Sequence, residues 1–189
     1  FKQKTAYEIG VRLVGSEMCI RDRSEVEAGV RGARRASDLP IVVTLSYDTA
    51  GCTMMGVTGQ ETGAFLAELG VAGIGANCGA NLADTEAAVV AIRATAGDIP
   101  VVSKANAGIP VWKGAVLEYD ATPEILAAHA HRLREAGISV IGACCGSTPE
   151  HLAYIRQVLD GDLPVPDIEA PTITHTVEPS RTRQKRRDI

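Results

Sequence analysis

Three cysteines, Cys78 and the adjacent pair Cys144 and Cys145, have the type and spacing to act together on a metal ion. Three thiolates with a fourth position left open describe a catalytic zinc site, because a structural zinc is usually closed by a fourth protein ligand. A lone cysteine in such a place is more often a small buried hydrophobe. The pair changes that balance: a disulfide between neighbours is geometrically awkward, and the turn Gly142-Ala143-Cys144-Cys145-Gly146 favours a metal. Gly75, Gly79, Gly142 and Gly146 would let the backbone pass close to the ion. The chain has five cysteines, an odd number without the regular spacing of a secreted disulfide scaffold. Cys52 falls in a loop as a bystander thiol.

To converge, these residues need a frame. From Ser24 onward, short β-branched runs alternate with longer helical ones, the pattern of βα units and a parallel sheet. Ser24 with Glu27 has capping-box spacing before a helix carrying Val26, Val30 and Ala33 towards Pro40. Strands are expected at Ile41–Tyr47, Val71–Ala76, Pro100–Lys104 and Ile138–Ile141. Helices are expected from the Thr58/Glu61 box to Gly70, from an Asp84 cap to Ala96 with Gly97 beyond, from Thr122-Pro123-Glu124 to Gly137, and from Thr148-Pro149-Glu150 to Leu159. Asp48, Cys78, Asn106 and the cysteine pair each follow a strand's C-terminal end, where parallel sheets place their active sites. Cys78 and the pair stand two βα units apart, so in a closed barrel they face one mouth.

The chain of 189 residues is 46% apolar with net charge −4, which fits one globular domain and not a surface built to coat nucleic acid or anionic membrane. Residues 1–23 lack a sustained period and resemble a translated sequencing-adaptor tract, so they are read as a non-native extension that includes Cys19. The domain then occupies residues 24–160, and 161–189 form a flexible tail ending in the basic run Arg181 to Arg187, a solvated end without interleaved aromatics. No apolar stretch is long enough to span a bilayer and no secretory signal is evident, so a cytoplasmic, reducing location is expected.

NCG at Asn77 to Gly79, NAG at Asn106 to Gly108 and GACCGSTPEH at Gly142 to His151 resemble, in order and spacing, the motifs of the zinc-dependent homocysteine S-methyltransferase family. That family includes betaine-homocysteine methyltransferases and the homocysteine domain of methionine synthase. The likeness runs from about Ser24 to Leu159; Ala143 and Ser147 depart from it, where glycine and threonine are commoner. The resemblance implies an α/β fold of the TIM (β/α)8 barrel type, with the strands here as the fifth to eighth, roughly the C-terminal half of a barrel of about 250 residues. The chain is accordingly expected to be a fragment, inactive alone.

The activity implied is transfer of a methyl group to the thiol of homocysteine, giving methionine, on a Zn2+ held by Cys78, Cys144 and Cys145. A free thiol is only a few per cent thiolate at neutral pH, and zinc coordination removes that limitation. Asn106 is the candidate oxygen ligand that substrate displaces, or equally a turn asparagine before Gly108. Ser46 and Asn77 are candidates to contact substrate or to orient Cys78, or they satisfy backbone at strand ends. Betaine is the expected donor: SYDTAGCTMMGVT resembles betaine-dependent enzymes, and Tyr47 and Trp112 offer aromatic faces to a quaternary ammonium, or simply pack. Methylfolate through cobalamin and S-methylmethionine stay open as donors. His129 and His131 are expected to face solvent, and His151 to support the CCG turn. The expected partners are these small molecules, with no nucleic acid or membrane and a homo-oligomer left open. Two rival readings are a phosphate-binding barrel, because a glycine-flanked helix start suits phosphate, and a non-catalytic metal-binding or redox module using Cys144 and Cys145.

Overall fold

The structure, a computed structural model, describes residues 23–48 and 51–171. The segment 1–22 with Cys19 and the run Arg181 to Arg187 lie outside the described residues. Helix α1 (Arg23–Ala36) buries Val26 and Val30, one turn apart on one face. Ser24 lies inside this helix and not at its N-cap, so the expected box with Glu27 does not form; Glu27 instead pairs with Arg31.

Strands β1 (Val42–Leu45), β2 (Gly73–Cys78) and β3 (Val101–Ala105) alternate with helices α2 (Gly59–Leu69) and α3 (Leu82–Arg93). A hairpin of β4 (Pro110–Lys113) and β5 (Val116–Tyr119) then precedes α4 (Pro123–Glu135), β6 (Val140–Ala143) and α5 (Pro149–Asp160). The main sheet is parallel in the order β1-β2-β3-β6, and β4-β5 form a separate antiparallel ribbon. The observed β2, β3 and β6 begin one or two residues later than the sequence suggests. Val71 illustrates why: its N–H goes to Leu66 O at 3.4 Å, finishing α2, so the ladder starts at Gly73.

Local caps hold the helices. Thr58 accepts from Glu61 N at 3.2 Å while the Glu61 carboxylate accepts from Thr58 N at 2.9 Å, a complete capping box. At α3 the cap is Asn81 and not Asp84; Asn81 Oδ1 accepts from Asp84 N at 2.9 Å, and Asp84 occupies the first turn. Gly97 is left-handed as expected, at φ 58°, but in the turn after a helix that has ended at Arg93.

One core lies between β1–β3 and α1–α3, with Val43, Leu45, Ile74, Ala76 and Val101 facing Leu66, Val89 and Ile92. A second joins α4 and α5 to Ala105 and Ala107. Residues of β3 at odd positions therefore face the helices, and Val102 and Lys104 face the other way. Among the described residues β1 and β6 are open sheet edges, with Val42 and Val140 44% and 50% exposed. Residues 162–171 form no helix or strand, yet Leu163 packs on the second core. Among the described residues no helix is long and apolar enough to cross a membrane.

Candidate metal centre

The sulfur atoms of Cys78, Cys144 and Cys145 lie within 4.8 Å of one another. Cys78 ends β2 and the other two follow β6, with only β3 between those strands. Alternation along β2 would turn Cys78 towards the helices with Ile74 and Ala76. Instead its backbone is left-handed, at φ 58°, alone among the described non-glycine residues. The alternation breaks there, and the Cys78 thiol meets Cys144 Sγ at 3.1 Å. Such a conformation costs on the order of 1–3 kcal/mol for a side-chain-bearing residue and persists only where its surroundings impose it. Here the first turn of α3 does so: Thr85 Oγ1 lies 3.1 Å from the carbonyl oxygens of both Cys78 and Asn81.

Asn106 joins the two cysteine loops. Its Nδ2 donates to Gly79 O at 3.1 Å, and its Oδ1 accepts from Cys145 N at 3.1 Å. The neighbouring backbone reinforces this, with Ala107 N donating to Cys145 O at 2.9 Å and Cys144 N to Ala105 O at 2.8 Å. Ala121 N in turn donates to Ala107 O at 3.0 Å. His151 closes the circuit from α5: Nδ1 accepts from Thr148 N at 3.1 Å, which puts its proton on Nε2, 3.1 Å from Ala121 O. His151 thus bonds to Thr148 and Ala121, and not directly to the CCG turn it was expected to support. Asn77 is buried, and its Nδ2 donates to Cys78 Sγ at 3.4 Å. Ser46 stands beside it, just past β1.

The close thiols titrate as a set. Accepting a hydrogen bond from Cys78 holds Cys144 down, to about 5, against the opposing effect of its burial; Cys145 and the charge of Lys104 add to the lowering. Cys78 moves the other way, because it is the donor to Cys144 and because it is buried.

Residues 2–159 match the homocysteine S-methyltransferase family, a span that takes in all three cysteines. The chain belongs to this family. It is 35% identical over 168 residues to methionine synthase of Mycobacterium leprae (strain TN), covering 82% of this chain and 14% of the relative. Against methionine synthase of Mycobacterium tuberculosis (strain ATCC 25618 / H37Rv) the identity is 35% over 173 residues, 87% of this chain and again 14% of the relative. The chain thus spans about one-seventh of these relatives' length. In fold it is similar to the Escherichia coli homocysteine methyltransferase MmuM. The apo form gives a TM-score of 0.58 at 22% identity, covering 74% of this chain and 47% of that one. The metallated form gives 0.50 at 22% identity, covering 74% and 42%.

Within this member of the homocysteine S-methyltransferase family, several sequence expectations change. His129 is 3% exposed and its Nδ1 lies 3.1 Å from Glu86 Oε2, so it is a buried partner between α3 and α4 and does not face solvent; His131 is half-buried. Tyr47 is fully buried in the first core, whereas Trp112 is 70% exposed on β4. Of the expected glycines, Gly79 and Gly146 are left-handed, but Gly142 needs no such freedom: an added Cβ would meet Lys104 Cγ at 3.5 Å, an ordinary contact. Gly75 makes room for the Val102 carbonyl of the next strand and not for the site. Two residues near the sulfurs went unsingled in the sequence. Lys104 is one. Tyr119 is the other, its ring packed on Gly146 and its phenol hydrogen-bonded to Cys145; burial, then that thiol, hold the phenol above its ordinary range.

Proposed function

We propose that Cys78, Cys144 and Cys145 hold one zinc ion and that the protein transfers a methyl group to the thiol of homocysteine. The observation that carries this reading is the three-sulfur cluster built across β2 and β6. With Zn–S bonds of about 2.3 Å, tetrahedral ligands stand about 3.8 Å apart. The Cys144–Cys145 separation is 3.9 Å and the Cys78–Cys144 separation 3.1 Å, both too long for a disulfide and near the tetrahedral spacing. Among the described residues no fourth histidine, cysteine or carboxylate joins the cluster, in keeping with a position left for substrate.

Bound there, zinc would supply the Lewis acidity that lets a thiol act as thiolate at neutral pH. The chain's own residues do the rest. The three cysteines supply negative charge, Asn77 orients Cys78, and Asn106 fixes the spacing of the two loops. With one lone pair taken by Cys145 N–H, Asn106 Oδ1 retains a second for the metal or the substrate. Ser46 and Asn77 line the approach as substrate contacts. In the reaction homocysteine loses its thiol proton, a bond forms from sulfur to the methyl carbon, and the donor's bond to that carbon breaks. With betaine that bond is N–CH3, and dimethylglycine leaves as methionine forms, its freed amine basic enough to take up the proton that the thiol gave to solvent. Trp112, with its face open, is the aromatic candidate for the quaternary ammonium.

The open edges at β1 and β6 support a further part of the reading: these four strands form half of a (β/α)8 barrel, and methyl transfer depends on strands that close it. The decisive measurement is metal content by mass spectrometry of the protein expressed from its full gene. One zinc per chain is expected, lost in Cys78→Ala; stoichiometric absence of metal in the unaltered protein would end the proposal. Methionine formation is then assayed with betaine, S-methylmethionine and methylated cobalamin in parallel. The donor assignment fails if betaine alone gives no product.

A further inference from the structure

Among the described residues Lys104 is the one cation on the inner face of the main sheet. Its neighbours Val101 and Ala105 belong to the helix-facing cores and Ser103 is fully buried between them, so alternation turns Lys104 to the helix-free face. Ladder register places it directly between Asn77 of β2 and Gly142 of β6. Its stem runs beside Gly142, with Cγ 3.5 Å from where a Cβ of Gly142 would stand. Ser46 follows Leu45, the partner of Ala76, and so continues the same row beside Asn77. Hydroxyl, amide and ammonium thus form one polar row across the sheet.

Cys144 lies two residues beyond Gly142 on the same face, a rise of about 6.6 Å. Lys104 is half-buried, and no carboxylate among the described residues pairs with it. A half-buried ammonium that acts on the Cys144 thiol but is met by no carboxylate is poised for a carboxylate that arrives with a ligand.

We propose that Lys104 is a carboxylate-recognition subsite, which takes the acid group of a small ligand whose reacting end lies at the three sulfurs. The inference rests on the thiol-methylation reading above. Extended homocysteine separates its sulfur from its carboxyl carbon by roughly 5 Å at ordinary bond lengths, close to the two-residue rise. A methyl donor that carries a carboxylate offers the same chemistry, and the test separates the two sources.

The experiment is isothermal titration calorimetry on the zinc-loaded protein expressed from its full gene. Homocysteine is compared with 3-aminopropane-1-thiol, which lacks only the carboxylate, and betaine is compared with choline in the presence of homocysteine. The unaltered protein is expected to favour one acid over its acid-free counterpart by on the order of 10-fold to 100-fold. Lys104→Met should bring that ratio to about 1 with zinc content unchanged, and Lys104→Arg should restore part of it. Loss of the homocysteine ratio assigns the subsite to the thiol substrate; loss of the betaine ratio alone assigns it to the donor. Ratios near 1 in the unaltered protein overturn the subsite while leaving thiol binding intact, and so do ratios that survive Lys104→Met. Failure of both thiols to bind overturns the methylation reading and the subsite with it.

Discussion

Replacing Asn106 with alanine removes both side-chain bonds that tie the Cys78 loop to the Cys145 loop: Nδ2 to Gly79 O and Cys145 N to Oδ1, each 3.1 Å. Each bond has a net worth of about 0.5–1.5 kcal/mol, and the half-buried site admits water to the groups left behind, so the two together contribute about 1–3 kcal/mol. They join segments that meet at the sulfurs, and the loss should therefore appear chiefly in metal affinity. A weakening of about 5-fold to about 150-fold follows from the relation of about 1.4 kcal/mol per tenfold. Competition with a chromogenic chelator measures it, and urea unfolding of the metal-free protein shows what part falls on global stability. Asn106→Asp should not rescue, because it keeps an acceptor for Cys145 N, loses the donor to Gly79 O and adds negative charge beside three thiolates. If Asn106→Ala binds zinc within about twofold of the unaltered protein, below the roughly fivefold expected from two lost bonds, with the same urea midpoint, the idea that this side chain sets the loop spacing is refuted.

Gly146→Ala should destabilise the fold by roughly 2–5 kcal/mol, since φ is 77° and the new Cβ would fall 2.1 Å from Tyr119 Cγ. A urea midpoint close to that of the unaltered protein would count against it. Glu86 is pushed up by burial, but the hydrogen bond from His129 and the charges of His129 and Arg132 outweigh this and hold its carboxyl below the ordinary range. A depressed folded value means stabilisation present above the unfolded carboxylate value of about 4.3 and lost as pH falls through the folded one. Glu86→Gln should therefore flatten the acid limb of the stability profile below about pH 5, and an unaltered limb would exclude this pair as its source. Trp112→Ala should raise KM for betaine by about 2-fold to 5-fold while leaving zinc content alone, as for a cation held on an exposed ring; an unchanged KM assigns the ring elsewhere.

What was legible in the sequence is what is decided locally. The Thr58/Glu61 box, the Thr122-Pro123-Glu124 and Thr148-Pro149-Glu150 starts and the placement of Cys144 and Cys145 just past β6 all depend on residues within a turn of one another, whereas Cys78 ends β2 and does not follow it. Strand limits were less legible because ladder partners set them, as when α2 claims Val71. The hairpin Pro110–Tyr119 is not legible although Gly114 and Ala115 separate two short runs, because neither run is long enough to announce a strand without its mate. The burial of His129 is hidden from the sequence for a related reason: its helix packs on two sides, against α3 as well as α5, and only the tertiary contact to Glu86 reveals that. Lys104 looked like any polar strand residue until register put it between Asn77 and Gly142.

The strand order explains why these particular residues form the site. Cys78 and the cysteine pair stand on strands separated by β3 alone, so a gap of two inter-strand spacings, about 9.5 Å, must be closed by whatever follows each strand. The left-handed turn at Cys78 closes it from one side, and the Cys144 turn, tied by its backbone to Ala105, closes it from the other. Only the residue just past β3 lies between them, and a side chain there must donate to one loop and accept from the other. An amide does both and remains neutral beside the sulfurs; a carboxylate cannot donate, and serine is too short to bridge outward in two directions. Asparagine at position 106 thus meets what the topology asks before any role towards metal or substrate is considered, and a role at the fourth metal position would draw on the lone pair that bridging leaves over.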